Sequence, residues 1–334
     1  VLIVIFGAVA AWFLMPALLL FFTGMLLAVL LNMPSTWLAR RTPLTTPFAL
    51  ILVLAIVAVA VGLGGWWIAP RLIEQVRSLT QVLRESFDRL ELFLGQFGWG
   101  DQILESVSPT SDLIDTVVSV QSLPRLFTVF SGVFGGIADV LIVLFLGIYL
   151  AATPAIYVEG IVGLFPHSRR PRLRHVFAST GEMLRRWLLT RLMDMIVVGG
   201  LTGVGLWLLQ IPLAPLLGLI TGLLAFIPIL GTYLAVVPAA LVALAQGPTM
   251  LLYVLLIYTG AQLLQDYLLS PLVVNRLVTI PPVLMLGSQL LFALLGGLLG
   301  VAMAVPIAVV LMVWVKLLYI EDILGDPVDL PSET

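Results

Sequence analysis

Three groups of residues have types and spacing suited to handling a solute or an ion. The first is Phe226-Ile227-Pro228-Ile229-Leu230-Gly231, inside the long apolar run Leu213–Ala245. Pro228 has no N–H, and its ring displaces the carbonyl four residues back, that of Leu224. Gly231 is free to take a positive φ that ends or turns a helix. Thr221, Thr232 and Tyr233 stand nearby as hydroxyl partners. At membrane depth, loose backbone groups are tolerated only where protein buries them or a wet cavity adjoins them. Broken helices of this kind build substrate sites in transporters. A tight connection between two helices at the membrane surface is the competing reading.

The second group is Gln262, Gln265 and Asp266, followed by Pro271, Asn275 and Arg276. Residues 262 and 266 are i, i+4, so one helix face carries an amide and a carboxylate with a second amide beside it. This face reads either as a polar lining for a path or as an interfacial Asp266–Arg276 pair. The third group is Asp194, three residues after Arg191 and within helical pairing reach. A charge at the bilayer centre costs about 2.5–3.5 kcal/mol on insertion scales, so it needs a reason. A structural ion pair near the cytoplasmic end of a span is one; an ion or proton carrier is the other. Asp139, near the start of its own span, is placed to face the wet side. The candidate path lining is therefore Thr221, Phe226, Pro228, Gly231, Thr232, Tyr233, Gln262, Gln265, Asp266, Asn275 and Arg276. The candidate ion or proton carriers are Asp194 and Asp266.

Other chemistry is missing. The sequence has no Gly-x-Ser-x-Gly, no His-Glu-x-x-His, no phosphate loop and no dinucleotide fingerprint. Cysteine is absent, which removes disulfides, thiolate zinc sites, cysteine-held iron–sulfur clusters and cysteine nucleophiles. His167 and His175 lie eight residues apart in a basic stretch and read as solvated surface residues. No catalytic role, metal site or cofactor is expected.

The elements that must hold these residues follow from composition. Of 334 residues, 61% are hydrophobic and 10% charged, with a mean hydropathy of +1.16. Soluble domains carry roughly 25% charge, and a soluble monomer cannot cover so much apolar surface. A soluble enzyme and a disordered chain are both excluded. The net charge of −2 gives no basic field for nucleic acid. The expectation is an all-α polytopic membrane protein embedded in the lipid bilayer.

A span needs about 20 apolar residues to cross roughly 30 Å. Val1–Leu31 would reach ~46 Å at ~1.5 Å per residue, so either one long tilted helix is kinked at Pro16 or two spans meet there; the second is expected, with the first span trimmed and no signal peptide. Phe48–Ala69 is a further span closed by Trp66 and Trp67, suited to an interfacial belt; together these make residues 1–69 the N-terminal membrane segment. Residues 70–127 carry one apolar stripe, Val76, Leu79, Leu83, Phe87, Leu90, Leu94 and Phe97, and read as an extramembrane amphipathic helical segment. Residues 128–153 form a span. Residues 154–191 form a basic link: between Phe165 and Arg191, Arg169, Arg170, Arg172, Arg174, Arg185, Arg186 and Arg191 stand against one acid, Glu182. The positive-inside rule makes this link cytoplasmic, with Arg40 and Arg41 on the same side. Residues 192–320 form the C-terminal membrane core, with Leu192–Leu209 and Met250–Leu269 as spans and Leu213–Ala245 and Val283–Ile320 overlong. Residues 321–334 form an acidic cytoplasmic tail. The total is about eight spans with both termini cytoplasmic, and broken or re-entrant helices in the second half.

Glycine pairs Gly132/Gly136, Gly199/Gly203, Gly218/Gly222 and Gly296/Gly300 each place two glycines on one helix face, which lets backbones approach closely. A faint echo links Gly222-Leu223-Leu224 and the segment around Pro238 with Gly297-Leu298-Leu299 and the segment around Pro306, as in repeat-built transporters.

The second half resembles the autoinducer-2 exporter family of bacterial permeases. The likeness runs through Arg186-Trp187-Leu188-Leu189, Gly203 to Leu209, Phe226 to Gly231, Gln262, Leu268 to Val273, Pro281-Pro282, Gly300 to Pro306 and Tyr319 to Asp326. The first half matches in layout. The resemblance implies an inner-membrane (plasma-membrane), homo-oligomeric, eight-span permease without a nucleotide cofactor. Members are associated with export of small signalling molecules, others with sodium–proton exchange. Ala225 and Gln265 stand where relatives often carry glutamate, and Thr232 replaces a common proline. Asp266 would have to substitute for those carboxylates. The expected function is a secondary transporter exporting a small organic or signalling solute. A sodium–proton antiporter and a non-transporting scaffold that docks partners through residues 70–127 are the alternatives.

Overall fold

The computed structural model describes residues 2–64, 136–265 and 281–327, together with Trp66, Pro70, Glu74, Gln75, Ser78 and Tyr267. The stripe over 76–97, and most of the 70–127 segment, lies outside the described residues, as do Asp266, Asn275 and Arg276 of the candidate site. Among the described residues every regular element is helical. The elements are α1 (Leu2–Arg41), α2 (Thr46–Gly64), α3 (Ile137–Ala152), α4 (Pro154–Gly163), α5 (Arg170–Leu208), α6 (Ala214–Leu224), α7 (Leu230–Leu244), α8 (Pro248–Leu264) and α9 (Pro282–Trp314), with α9 continuing as a π-helical stretch over Val315–Leu324.

Among the described residues four helical stretches are long and apolar enough to cross a membrane, or five if α3 and α4, bent by 84° at Thr153, count as one span. α6, α7 and α8 are apolar but shorter. At ~1.5 Å per residue, the 11 residues of α6 reach only ~16 Å. The expected eight spans therefore include elements that length alone does not make into crossings. Large apolar side chains face outward along the long helices, among them Ile51, Ile56 and Val61 of α2 and Ile137, Leu141 and Phe145 of α3. In water this surface would drive aggregation; in lipid it is at no disadvantage.

One expectation about the spans is corrected. α1 is a single helix with Pro16 and Pro34 inside it, so no two spans meet at Pro16. Lipid offers a freed carbonyl no other partner, so the helix holds its remaining bonds and side-chain hydroxyls reinforce it. Pro34 gives nothing to the Leu30 carbonyl, and just beyond it Ser35 and Thr36 each donate to a carbonyl four residues back, both at 2.7 Å. The boundary drawn at 191 falls within one helix, while the two compact units of the chain divide between Thr190 and Arg191. α5 runs 39 residues without interruption, because neither Pro nor Gly chemistry ends it between the arginines and the apolar half.

The described residues fall into two compact units. One draws on 2–61, 136–190 and 281–327. In it α1 and α3 interlock: a Cβ on Gly147 would meet the Leu27 side chain at 2.7 Å, and one on Gly24 would meet Leu146 Cβ at 2.7 Å. Ala28, Leu31, Leu50, Val53 and Ala151 form a core beside this contact. α9 breaks at Gly296 and Gly297, the latter at φ 58. A Cβ on Gly300 would land on the Phe292 carbonyl oxygen. Eight residues of straight helix span ~12 Å, so the chain folds back at this point. Gly296 and Gly300 thus do not share one helix face. Gly136 likewise precedes α3 at φ 144, and Gly132 lies outside the described residues.

The arginine-rich stretch is helical and better compensated than its local sequence suggests. Arg172 forms ion pairs with Glu321 at 2.9 Å and Asp322 at 3.0 Å, and donates to the Leu317 carbonyl at 2.8 Å. Arg174 grips Glu159 through two hydrogen bonds of 2.7 and 2.8 Å, which hold that carboxyl below its usual range. Trp314 donates to Thr180 and packs edge-on against Phe177. The start of α5 thereby anchors the π-helical end of the chain.

The second unit contains the later part of α5 and all of α6, α7 and α8. Leu206, Leu217, Ala239, Val242 and Val254 form its core.

Candidate translocation site

The site is built on a glycine seam. A Cβ on Gly199 would meet Gly222 Cα at 2.7 Å and the Gly218 carbonyl at 2.9 Å; one on Gly218 would meet Gly203 Cα at 2.5 Å. Gly199 faces Gly222 while Gly203 faces Gly218, so α5 and α6 run antiparallel with bare backbones in contact. The two glycine pairs found in the sequence are the two sides of one seam. A groove of about 580 Å³ flanks it, lined by residues such as Met195, Ile196, Val204, Trp207 and Leu223. No charged side chain lines it, and several of its walls are exposed. The groove is apolar and open at the surface, and the polar chemistry lies elsewhere.

The polar centre is the break between α6 and α7. Thr221 on α6 and the Ala235 carbonyl on α7 both lie within 3.3 Å of the Tyr258 hydroxyl on α8. Along a straight helix residues 221 and 235 would stand ~21 Å apart. The chain therefore reverses between them, and α6–α7 is a hairpin. Its tip is tightly made. The Phe226, Ile227 and Gly231 N–H groups donate to the Leu223, Leu224 and Ile227 carbonyls at 3.2, 2.9 and 3.1 Å. Most of the broken backbone is thus satisfied internally.

The glycine's role differs from the expected one. Ile229, not Gly231, takes the positive φ, at 66°. Gly231 is needed because the Leu224 carbonyl, displaced from its helical partner, lies against its Cα, where a side chain would collide with it. Ala225, Ile227, Pro228 and Gly231 are buried, Phe226 and Ile229 half-buried, and Leu230 partly exposed. Thr221 is wholly buried, Thr232 half-buried, and Tyr233 faces outward at 71% exposure, away from the packed tip.

Other candidate residues converge at this level. One helical turn from the Thr221–Tyr258–Ala235 contact lie Ala225 on α6, Gly231 on α7 and Gln262 on α8. Gln262 and Gln265 are half-buried. The Gln265 side-chain oxygen is enclosed and accepts no hydrogen bond among the described residues, a condition costing about 1–3 kcal/mol until a donor meets it. The seam's register, continued one turn beyond Gly199–Gly222, brings the tip level with Asp194 and Arg191. These two form an ion pair of 2.9 Å, with side chains 9% and 15% exposed. Among the described residues no cluster of three or more His, Cys, Asp or Glu is placed to hold a metal ion.

Tyr258 is the residue that sequence reasoning missed. Its signal was available: it sits four residues before Gln262, on the same face of α8.

The sequence matches the AI-2E family of transporters over residues 1–320. Three provisionally named transport proteins are similar to it. sll0060 of Synechocystis sp. is 26% identical over 307 residues, spanning 86% of this chain and 85% of the relative. YrrI of Bacillus subtilis is 31% identical over 173 residues, 51% of this chain and 48% of the relative. YueF of the same organism is 26% identical over 244 residues, 71% and 63% respectively.

Proposed function

Because the chain belongs to the AI-2E family of transporters, we propose that it is a secondary transporter exporting a small organic or signalling solute, of the autoinducer-2 type, past the tip of the α6–α7 hairpin. The observation that carries this reading is the backbone reversal at 225–229 inside an apolar chain. The arms, 11 and 15 residues long, are shorter than the roughly 20 residues a crossing needs, and interrupted helices of this kind form substrate sites in transporters. Gln262 and Gln265, both half-buried, set side-chain amides of a kind that suits a small polar solute. Asp266 extends that face by sequence.

The test is uptake of a labelled autoinducer-2 analogue into proteoliposomes, with and without imposed sodium and proton gradients. Pro228→Ala and Gly231→Ala should abolish flux while the protein still inserts. Unchanged flux would remove the tip from the path.

A second reading, sodium–proton antiport, is favoured by the enclosed Arg191–Asp194 pair level with the tip. It requires Asp194→Asn or Asp266→Asn to abolish pH-dependent sodium movement in the same vesicles.

A further inference from the structure

We propose that Tyr258 is the positioning residue of the hairpin, its hydroxyl tying the inbound arm to the outbound arm. Thr221 is fully buried and Tyr258 is 3% exposed, so water does not serve either hydroxyl. Three contacts join them to the backbone and to each other: Thr221 to the Leu217 carbonyl at 2.7 Å, Thr221 to Tyr258 at 2.8 Å, and Tyr258 to the Ala235 carbonyl at 3.3 Å. Each hydroxyl has one proton to give, so two protons serve three contacts.

Only two arrangements keep a proton between the two oxygens. In one, Tyr258 donates to Thr221 and Thr221 to Leu217. In the other, Thr221 donates to Tyr258 and Tyr258 to Ala235. The Thr221–Tyr258 bond is made in both, so α6 and α8 stay joined. The bond to the outbound arm is made in one and released in the other. Its greater length fits a contact that shares its proton. Ala235 also lies beside a weak point of α7. Pro238 supplies no N–H to the Leu234 carbonyl next to it, which loosens the helix there. The hydroxyl pair is thus a two-state tie between the arms.

The importance of this tie for transport rests on the reading of the hairpin as the path; the tie itself does not. Neither Tyr258→Phe nor Thr221→Val strands a donor, because the remaining hydroxyl keeps a carbonyl to bond. The chain has no native cysteine, so spin labels can be placed at will. One pair at Leu219 and Val237 reports the separation of the arms. A reference pair at Val204 and Leu219 reports the glycine seam. All three labelled positions are exposed.

Pulsed electron paramagnetic resonance on the full chain in lipid nanodiscs should give one narrow arm distance for the unsubstituted protein. Tyr258→Phe and Thr221→Val should each broaden it and move it outward, with the seam distance unchanged. The double variant should be no broader than Tyr258→Phe alone, because one link is lost in each case. An arm distance unaltered in both variants, or a seam that broadens equally, overturns the tie. Flux of the labelled analogue in the same variants separates the two claims: loosened arms with undiminished flux would leave the tie standing and remove the hairpin from the path.

Discussion

At the scale of single residues, the hairpin depends on what a side chain would displace. Gly231→Ala pushes a methyl group into the Leu224 carbonyl, and overpacking of this kind costs about 1–3 kcal/mol. Gly64→Ala, where a Cβ meets nothing, should leave thermal stability unchanged and so serves as its control. Asp194→Asn should be more harmful, by another route. It leaves the Arg191 guanidinium buried without its carboxylate, and breaking a buried pair costs about 3–5 kcal/mol. Chemical denaturation of purified protein in detergent would show both losses. The sequence marked Pro228 and Gly231 as a break and Arg191–Asp194 as a pair, since both follow from short-range rules. It misplaced the positive φ, because local rules say what glycine can do and not which carbonyl will pass beside it. Tyr258 was legible only as a residue on the Gln262 face of α8; its partners were not, because they lie 37 and 23 positions away.

At the scale of elements, glycine does two different jobs. In the α5–α6 seam it brings backbones into contact, and Gly218→Ala should therefore disrupt α5–α6 packing by about 1–3 kcal/mol, again read by denaturation. At the two reversals it makes room for a displaced carbonyl. Gly231 lies against Leu224 after one break, and Gly300 against Phe292 after the other. The faint echo between these segments is only partly reflected here. Gly222-Leu223-Leu224 precedes its break, whereas Gly297 is part of the other. The seam was legible as two glycine pairs, but their mutual facing was not, because spacing gives a face and not its neighbour. The acidic partners of the basic stretch were hidden similarly: Arg172 reaches Glu321 and Asp322, far along the chain. Arg172→Gln should raise amide hydrogen exchange across residues 315–324 and leave α3 unaffected. Equal protection in both proteins would show that the anchor is not needed.

At the scale of the whole molecule, composition alone identified a helical membrane protein, since so apolar a chain has no other solvent. The number of crossings was less legible. Apolar length counts residues, and a hairpin spends residues without crossing. The antiparallel seam and the reversal at 225–229 make a definite claim about sidedness. The α5–α6 loop and the α7–α8 loop belong on the same face of the membrane. Gln210 and Gln246, one in each loop, are both exposed. The most direct measurement is labelling of Gln210→Cys and Gln246→Cys, introduced singly into this cysteine-free chain, with a membrane-impermeant maleimide in sealed vesicles of known orientation. The hairpin predicts that both react from the same side. Reaction from opposite sides would mean that residues 214–244 cross the bilayer, and the account of a re-entrant path would be wrong.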